Sequence, residues 1–541
     1  MEHIELNVLK GNVLIMNSLL NLYTNIKDRK SRLLHGFNLW YLLILLVPFS
    51  VAFLLLLING QRFDLKILIP VWNDEVGWHN QVQAVITYGR PLGYYGYNGT
   101  HAQFGTFGPW GISPLLPYAV FGTLFGWHLY SMALANLSFL AISLFLFCIL
   151  TQPDRREMIW MIIMYCISFI TIGYSMTSMC EGLRYSLAIV LTGITVYLYR
   201  KVEEQENYGK KHLFMILCFF LFTIFAINVY VILALFIPLF CNALLKRKPF
   251  HIRIIISLVS TLLIAFIENK IVSLVSSPYT ESTIASYVNE LKENGLYSMV
   301  VYVVDNTFEN LETVDLPSVL QANDHTLFWY FIVYLIIMFV SVYNLILTRS
   351  ERDYIFVYIL AGFLFGYCIL YTGSGWTLCR GSNTGLICTF LLMSVLKPKG
   401  GSFTDLRKLG VLLFVIAIVG IKKYHSGLIY ERVEVSAYTE AILQEKEMLT
   451  EIMDISEDND RWNNTVATYG FLGPYWQLAL PDGTGTNFMI SGEANTEAGY
   501  VLINSEEENV NDILNLNIDT GHSVLYRDEV FVILKNDRIV R

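Results

Sequence analysis

The chain has 541 residues, 54% of them hydrophobic and 15% charged, against roughly 25% charged in an ordinary soluble domain. That much apolar surface exceeds what the interior of a soluble protein of this length can hide, so lipid is the expected solvent for much of it. Charge is divided unevenly: residues 431–541 hold 21 Asp and Glu against 7 Lys and Arg, while the whole chain stands at −8. An acidic end of this kind argues against a nucleic-acid partner.

In chain order, residues 1–38 read as a polar to amphipathic cytoplasmic segment with basic residues at Lys27, Arg29, Lys30 and Arg32. The apolar run from Leu39 lacks a small-residue cleavage site and reads as a retained signal anchor. Runs at 39–59, 127–150, 157–176, 184–199, 251–273, 326–347, 353–372, 383–396 and 409–424 read as crossings of roughly 30 Å of hydrocarbon. The run 213–245 is too long for one crossing. Asn228 lies in its middle and lysines flank both ends, which predicts a hairpin of two short helices, 213–227 and 229–245.

Placing the N-terminus inside puts 21 Lys and Arg on the inner segments, as the positive-inside rule requires. The expected fold is an all-α polytopic membrane protein of about eleven transmembrane helices, N-in and C-out. The transmembrane module covers 39–430, with large outer loops at 60–126 and 274–325, and a small acidic extracytoplasmic α/β domain follows at 431–541. Segment 113–125 is apolar but short, and reads as an interfacial helix. The tail opens on a charged helical stretch at 435–455. Strand-like runs follow at Tyr475–Leu480, Tyr500–Ile503 and Glu529–Leu534, with turn signals between them. Six cysteines lie in apolar runs and read as small core residues. Cys180 and Cys379, near outer helix ends, are the one pair that a disulfide could join.

The segment richest in chemistry is Trp72-Asn73-Asp74-Glu75-Val76-Gly77-Trp78-His79, just beyond the first crossing. A carboxylate at the mouth of a membrane cavity can take a proton from an attacking hydroxyl, and two together can hold a divalent cation such as Mg or Mn. The alternative is a solvated loop. His79 stands one helical turn after Glu75, a spacing that suits a shared metal site or a plain surface histidine. Arg380 lies between two predicted spans and suits phosphate, or a snorkelling helix end. Glu181 and Arg184 either extend the site or pair with each other. Tyr94, Tyr95, Tyr97 and Trp110 suit sugar stacking, and equally a membrane interface. Asp324-His325 tops the eighth predicted span and could line the cavity.

A helix-like stretch from His79 ends at Gly89; Pro114 through Pro117 follow, and Phe125-Gly126 leads into the next crossing. In this order the first 150 residues resemble the GT-C superfamily of membrane glycosyltransferases. Beyond them the resemblance extends to about residue 430 only through helix count and hairpin placement. It implies a polyprenyl-phosphate-linked sugar donor and an exported glycan or glycolipid acceptor, used at the outer face of the cell membrane with inversion. Asp74 would be the general base, Glu75 its support or a metal ligand, and Arg380 the holder of the departing phosphate. A lipid-linked-oligosaccharide flippase or transporter is less suited, because charges are scarce inside the apolar runs and no repeat is visible. A glycan polymerase or ligase of another fold would want Arg in the 274–325 loop, which has none. A non-catalytic membrane scaffold is the remaining alternative.

Overall fold

The computed structural model describes residues 40–62, 64–89, 96–97, 112–204, 210–246, 248–275, 283–312, 326–371, 375–397, 405–455, 464–469, 474–489, 494 and 498–538. Its helices are α1 (Trp40–Ile44), α2 (Val47–Ile58), α3 (Asn73–Tyr88), α4 (Leu115–Phe125), α5 (Ser131–Thr151), α6 (Arg155–Cys166), α7 (Phe169–Ser175), α8 (Glu181–Glu204) and α9 (Lys210–Val229). There follow α10 (Phe236–Leu244), α11 (Phe250–Val275), α12 (Thr283–Glu312), α13 (Thr326–Thr348), α14 (Glu351–Leu370), α15 (Gly375–Val395), α16 (Leu406–Ser436), α17 (Thr439–Ile452) and α18 (Val510–Asp519). The strands are β1 (Gly96–Tyr97), β2 (Thr465–Tyr469), β3 (Gly485–Met489), β4 (Tyr500–Asn504), β5 (His522–Arg527) and β6 (Phe531–Asn536).

Among the described residues, six helical segments are long and apolar enough to cross a membrane: Trp40–Ile58, α5, Glu181–Arg200, α13, α14 and α15. The pair α6 and α7, bent by 70°, makes a seventh if counted as one span. Shorter apolar helices lie at Leu115–Phe125, Leu213–Val229, Val231–Leu244 and His251–Ile264. The run 213–245 does break, at Tyr230 rather than Asn228, and a 3-10 turn over Val231–Leu235 leads into α10.

At the extremes, burial follows polarity. The two least apolar spans, α15 and Glu181–Arg200 (mean hydropathy 1.2 and 1.3), are 94% and 89% buried, whereas Trp40–Ile58, at 2.9, is 28% buried. Lipid rejects polar side chains, so helices that carry them are driven to the middle of a bundle. The predicted span 383–396 therefore starts too late. α15 begins at Gly375, because Ser382 and Asn383 are satisfied inside the bundle: Tyr330 and Ser382 share a 2.9 Å hydroxyl contact, and Asn383 donates to Thr171 at 2.9 Å. Arg380 thus sits on the first turns of a central helix and not in a loop between spans. Cys180 and Cys379 are both buried free thiols, so the disulfide is not formed.

Gly381 lets α14 and α15 meet closely. A Cβ there would stand 2.4 Å from the Tyr367 ring. Gly381→Ala should therefore cost about 1–3 kcal/mol through overpacking, read as a lower unfolding temperature of the detergent-solubilised protein.

The C-terminal sheet has the order β1-β3-β2-β4-β6-β5. β1, β3, β2 and β4 run parallel, and β6 and β5 are antiparallel additions. Alternation along the strands builds two separate cores. Val466, Tyr500, Leu502, Phe531 and Ile533 face α17 and Val76 of α3. Ala467, Val501, Ile503, Val532 and Leu534 face α18. The expected strand at Tyr475–Leu480 is instead a 3-10 turn, Pro474–Ala479. Pro474 has no N–H to give a ladder, and Leu478, Ala479 and Leu480 are buried consecutively, not alternately. Because β1 comes from the segment after the first crossing, that segment and the sheet lie on the same side of the bundle.

Candidate active site

Asp74 and Glu75 fall in the first turn of α3. Successive helical residues point about 100° apart, so the adjacent carboxylates are separated by the helix itself. Glu75 turns inward and is fully buried. Its Oε2 accepts from the backbone N–H groups of Val71 (2.7 Å) and Trp72 (3.1 Å). Its Oε1 accepts from the Ser178 N–H (2.7 Å) and from Arg432 Nη2 (2.7 Å). Four donors use the roughly four acceptor positions that a carboxylate has. Arg432 also donates to the Ile69 carbonyl at 2.8 Å and lies over the Trp72 ring, 5.4 Å from its centroid. Glu75 thus ties three things together: the start of α3, the turn between α7 and α8, and the C-terminal end of α16.

Asp74 turns the other way, with its side chain 40% exposed. Arg380 Nη1 approaches its Oδ2 at 3.7 Å. Arg380 Nε lies 3.5 Å from Glu181 Oε1, and Arg184 Nη2 lies 3.8 Å from the same oxygen. The result is a row of alternating charge, Asp74, Arg380, Glu181, Arg184, drawn from α3, α15 and α8. Arg184 is the buried anchor. It donates to the Arg380 carbonyl at 2.8 Å and to Thr384 at 3.2 Å. The rings of Tyr185, Tyr230 and Tyr367 each lie 5.4 Å from its guanidinium carbon, a cation–π cage. Tyr185 donates to the same Arg380 carbonyl at 2.8 Å. Arg380 is 25% exposed, so Asp74 and Arg380 are the two most exposed members of the row.

His79 departs from this group. It is buried against Trp127, with ring centroids 5.0 Å apart, one helical turn beyond Glu75. A shared Glu75–His79 metal site does not fit the donors present. Glu75 has no lone pair to spare, and among the described residues no three carboxylate, imidazole or thiol groups gather. The donors around Asp74 do not fit a divalent cation held by Asp74 with Glu75. Burial first, and the Lys446 ammonium second, push the His79 imidazole down from 6.5 to about 4. A folded-state value below the unfolded one means that the unfolded chain takes up the proton first. Stability should be complete above about pH 6.5 and fall as pH drops from there towards 4. Thermal unfolding at pH 7 and pH 5 checks this, and His79→Phe should flatten the difference.

Tyr94, Tyr95, Trp110 and Asp324-His325 lie outside the described residues, as does the side chain of Tyr97. Sequence reasoning did bring together Asp74, Glu75, Glu181, Arg184 and Arg380. It missed Arg432, the cage tyrosines and Thr384. Arg432 carried one usable signal: a lone basic residue between Glu431 and Glu434 in an acidic segment.

The fold and this cluster define a multispanning membrane protein with a charged polar site at one end of its bundle. No protein-family model matches the chain, and no curated protein does. Among solved structures, ArnT from Cupriavidus metallidurans bound to undecaprenyl phosphate aligns with 93% of this chain and 99% of its own, at 9% identity and a TM-score of 0.44. Its apo state aligns over the same shares at 10% identity and 0.47. The Archaeoglobus fulgidus oligosaccharyltransferase in its apo form covers 92% of this chain and 74% of its own, at 11% identity and 0.45. These likenesses are too distant to carry a functional argument, which falls to the site itself.

Proposed function

We propose that this protein is a GT-C-type glycosyltransferase that moves a hexosyl or pentosyl unit from a polyprenyl-phosphate carrier to a glycan or glycolipid acceptor. The observation that carries the reading is the pairing of Asp74 with Arg380: a carboxylate and a guanidinium, both partly exposed, 3.7 Å apart. Asp74 takes the proton from the acceptor hydroxyl as its oxygen attacks the anomeric carbon. The bond from that carbon to the phosphate oxygen breaks, with inversion. Polyprenyl phosphate departs carrying the electron pair, and Arg380 stabilises the charge that develops on it. Glu181 and Arg184 hold Arg380 in place, and Glu75 holds Asp74 in place; none of these three touches substrate.

The reaction face is the outer one, and the chain crosses eleven times. Two groupings of charge support this orientation. Asp74, Arg380 and Arg432 gather at one end of the bundle. Lys246 with Glu351 (3.0 Å), Arg253 with Asn242 (2.7 Å) and Arg200 with the Val395 carbonyl (3.1 Å) gather at the other, more basic end, which the positive-inside rule makes cytoplasmic. The C-terminal sheet is then extracytoplasmic.

The test is release of free polyprenyl phosphate by the protein in lipid nanodiscs, offered a panel of polyprenyl-phosphate hexoses and pentoses with a glycolipid extract as acceptor. Arg380→Gln should lower kcat by about 100- to 1,000-fold, the usual loss for a donor aimed at developing charge. Arg380→Lys should recover part of it, keeping the charge without the planar fork. No release from any donor would reject the reading.

A further inference from the structure

The helix α12 is not one continuous rod. Gly295 (φ 85°) interrupts its helical backbone, and the segments on either side fold back on each other. Asn306 Nδ2 donates to the Tyr287 hydroxyl at 2.8 Å, and Ser298 donates to Glu290. The Tyr287 and Tyr302 rings meet edge to face, with centroids 5.6 Å apart.

This hairpin caps a membrane crossing. The last turn of any helix leaves carbonyls without an N–H partner. At the end of α14 the Cys368 carbonyl accepts from Asn306 (3.2 Å) and Asn310 (2.9 Å). The Ile369 carbonyl accepts from the Tyr287 hydroxyl (2.5 Å), and the Tyr371 carbonyl from Asn310 (2.8 Å). In an aqueous loop, water serves such groups. Side chains serving them instead are what a place poor in water requires. The same bonds fix α12 at the level of the end of α14, close to where Tyr367 reaches Arg184.

The remaining surface of residues 296–312 is divided in two. At about 100° per residue, Leu296, Tyr297, Val300, Val304 and Phe308 fall on one side, and all are exposed. Asp305, Glu309 and Glu312, also exposed, form the adjoining edge, while Asn306 and Asn310 face α14. An apolar stripe of this width ordinarily packs on a core, and here it is bare. Among the described residues, α12 is not one of the helices long and apolar enough to cross a membrane. Phe365 of α14, one turn before Ile369, is exposed as well, so the lipid-facing surface of the bundle reaches the level of the hairpin.

We propose that residues 296–312 are an interfacial anchor whose partner is the phospholipid leaflet at the Arg380 end of the bundle. The apolar stripe lies among acyl chains just below the headgroups, and the acidic edge points to headgroups and water. An amphipathic helix that cannot span a bilayer is stable in that position. Part of the segment expected to be an outer loop is therefore in lipid, and this does not depend on the transfer reading above.

The experiment uses the full-length protein in phosphatidylcholine nanodiscs, with Cys166→Ser, Cys218→Ser and Cys241→Ser removing the cysteines that are not buried. Val300→Cys, Val304→Cys and Glu309→Cys are made singly and labelled with nitrobenzoxadiazole. Leu54→Cys on α2 is the lipid control and Val524→Cys on β5 the water control; both positions are exposed. The labels at 300 and 304 should lose fluorescence to doxyl-labelled phosphatidylcholine as fully as the label at 54, and resist iodide. The label at 309 should respond to iodide. Leu296→Cys, on the same stripe, replaces either apolar position should its variant fail to fold. Quenching of the stripe by iodide, as at 524, would put it in water. Protection from both quenchers would mean that a protein partner or a second copy covers it. Either result would overturn the proposal.

Discussion

Asp74→Asn should lower sugar transfer by about 100- to 10,000-fold, the range for removing a positioned general base. The amide has almost the size of the carboxylate, and the side chain is 40% exposed, so the fold should be unaffected. Arg380 stays anchored through Glu181 at 3.5 Å, and donor binding should persist. The expected signature is a collapse of kcat with little change in donor KM, since the carboxylate acts when the acceptor proton is removed and not when the donor binds. Single-turnover release of polyprenyl phosphate from saturating donor isolates that step. Wild-type rates in the variant would remove Asp74 from the mechanism and shift attention to Glu181, the other carboxylate beside Arg380.

Arg432→Met should be the most destabilising of the substitutions considered, by about 3–5 kcal/mol, because it leaves Glu75 buried with its charge unmatched. Glu75→Gln should be costly for the converse reason, leaving the Arg432 guanidinium buried. The double variant Glu75→Gln with Arg432→Met should recover part of the loss, since removing both charges is often close to neutral. A double-mutant cycle on unfolding midpoints measures this coupling. Additive losses would mean that the 2.7 Å ion pair contributes little. The pair also sets the position of Asp74, one residue before Glu75, so the double variant should fold yet show a reduced kcat with donor KM held. Full activity in a stable double variant would show that the pair serves stability alone.

Much of the membrane architecture was legible from composition. Long apolar runs find a stable place only in lipid, and basic residues collect at one end. The broken run at 213–245 showed itself by its length. The order of Gly89, Pro114 and Gly126 marked the end of α3 and the place of α4, but the helix was expected only from His79 and begins at Asn73, so that Asp74 and Glu75 lie inside it. The site was legible only as a set of candidates. Neighbours in sequence look equivalent, so Asp74 and Glu75 were read as partners in one task.

Sequence alone therefore determined which segments enter lipid and which charged residues stand near their ends, because those properties depend on local hydropathy and spacing. Tertiary structure decided the rest. It turned Glu75 inward onto Arg432, 357 positions away, and left Asp74 open beside Arg380. It buried His79 against Trp127 and gave the first loop a strand in the C-terminal sheet. Which of two adjacent carboxylates is satisfied by buried donors depends on what packs against each face of the helix, and those donors come from turns and helices that no local pattern connects.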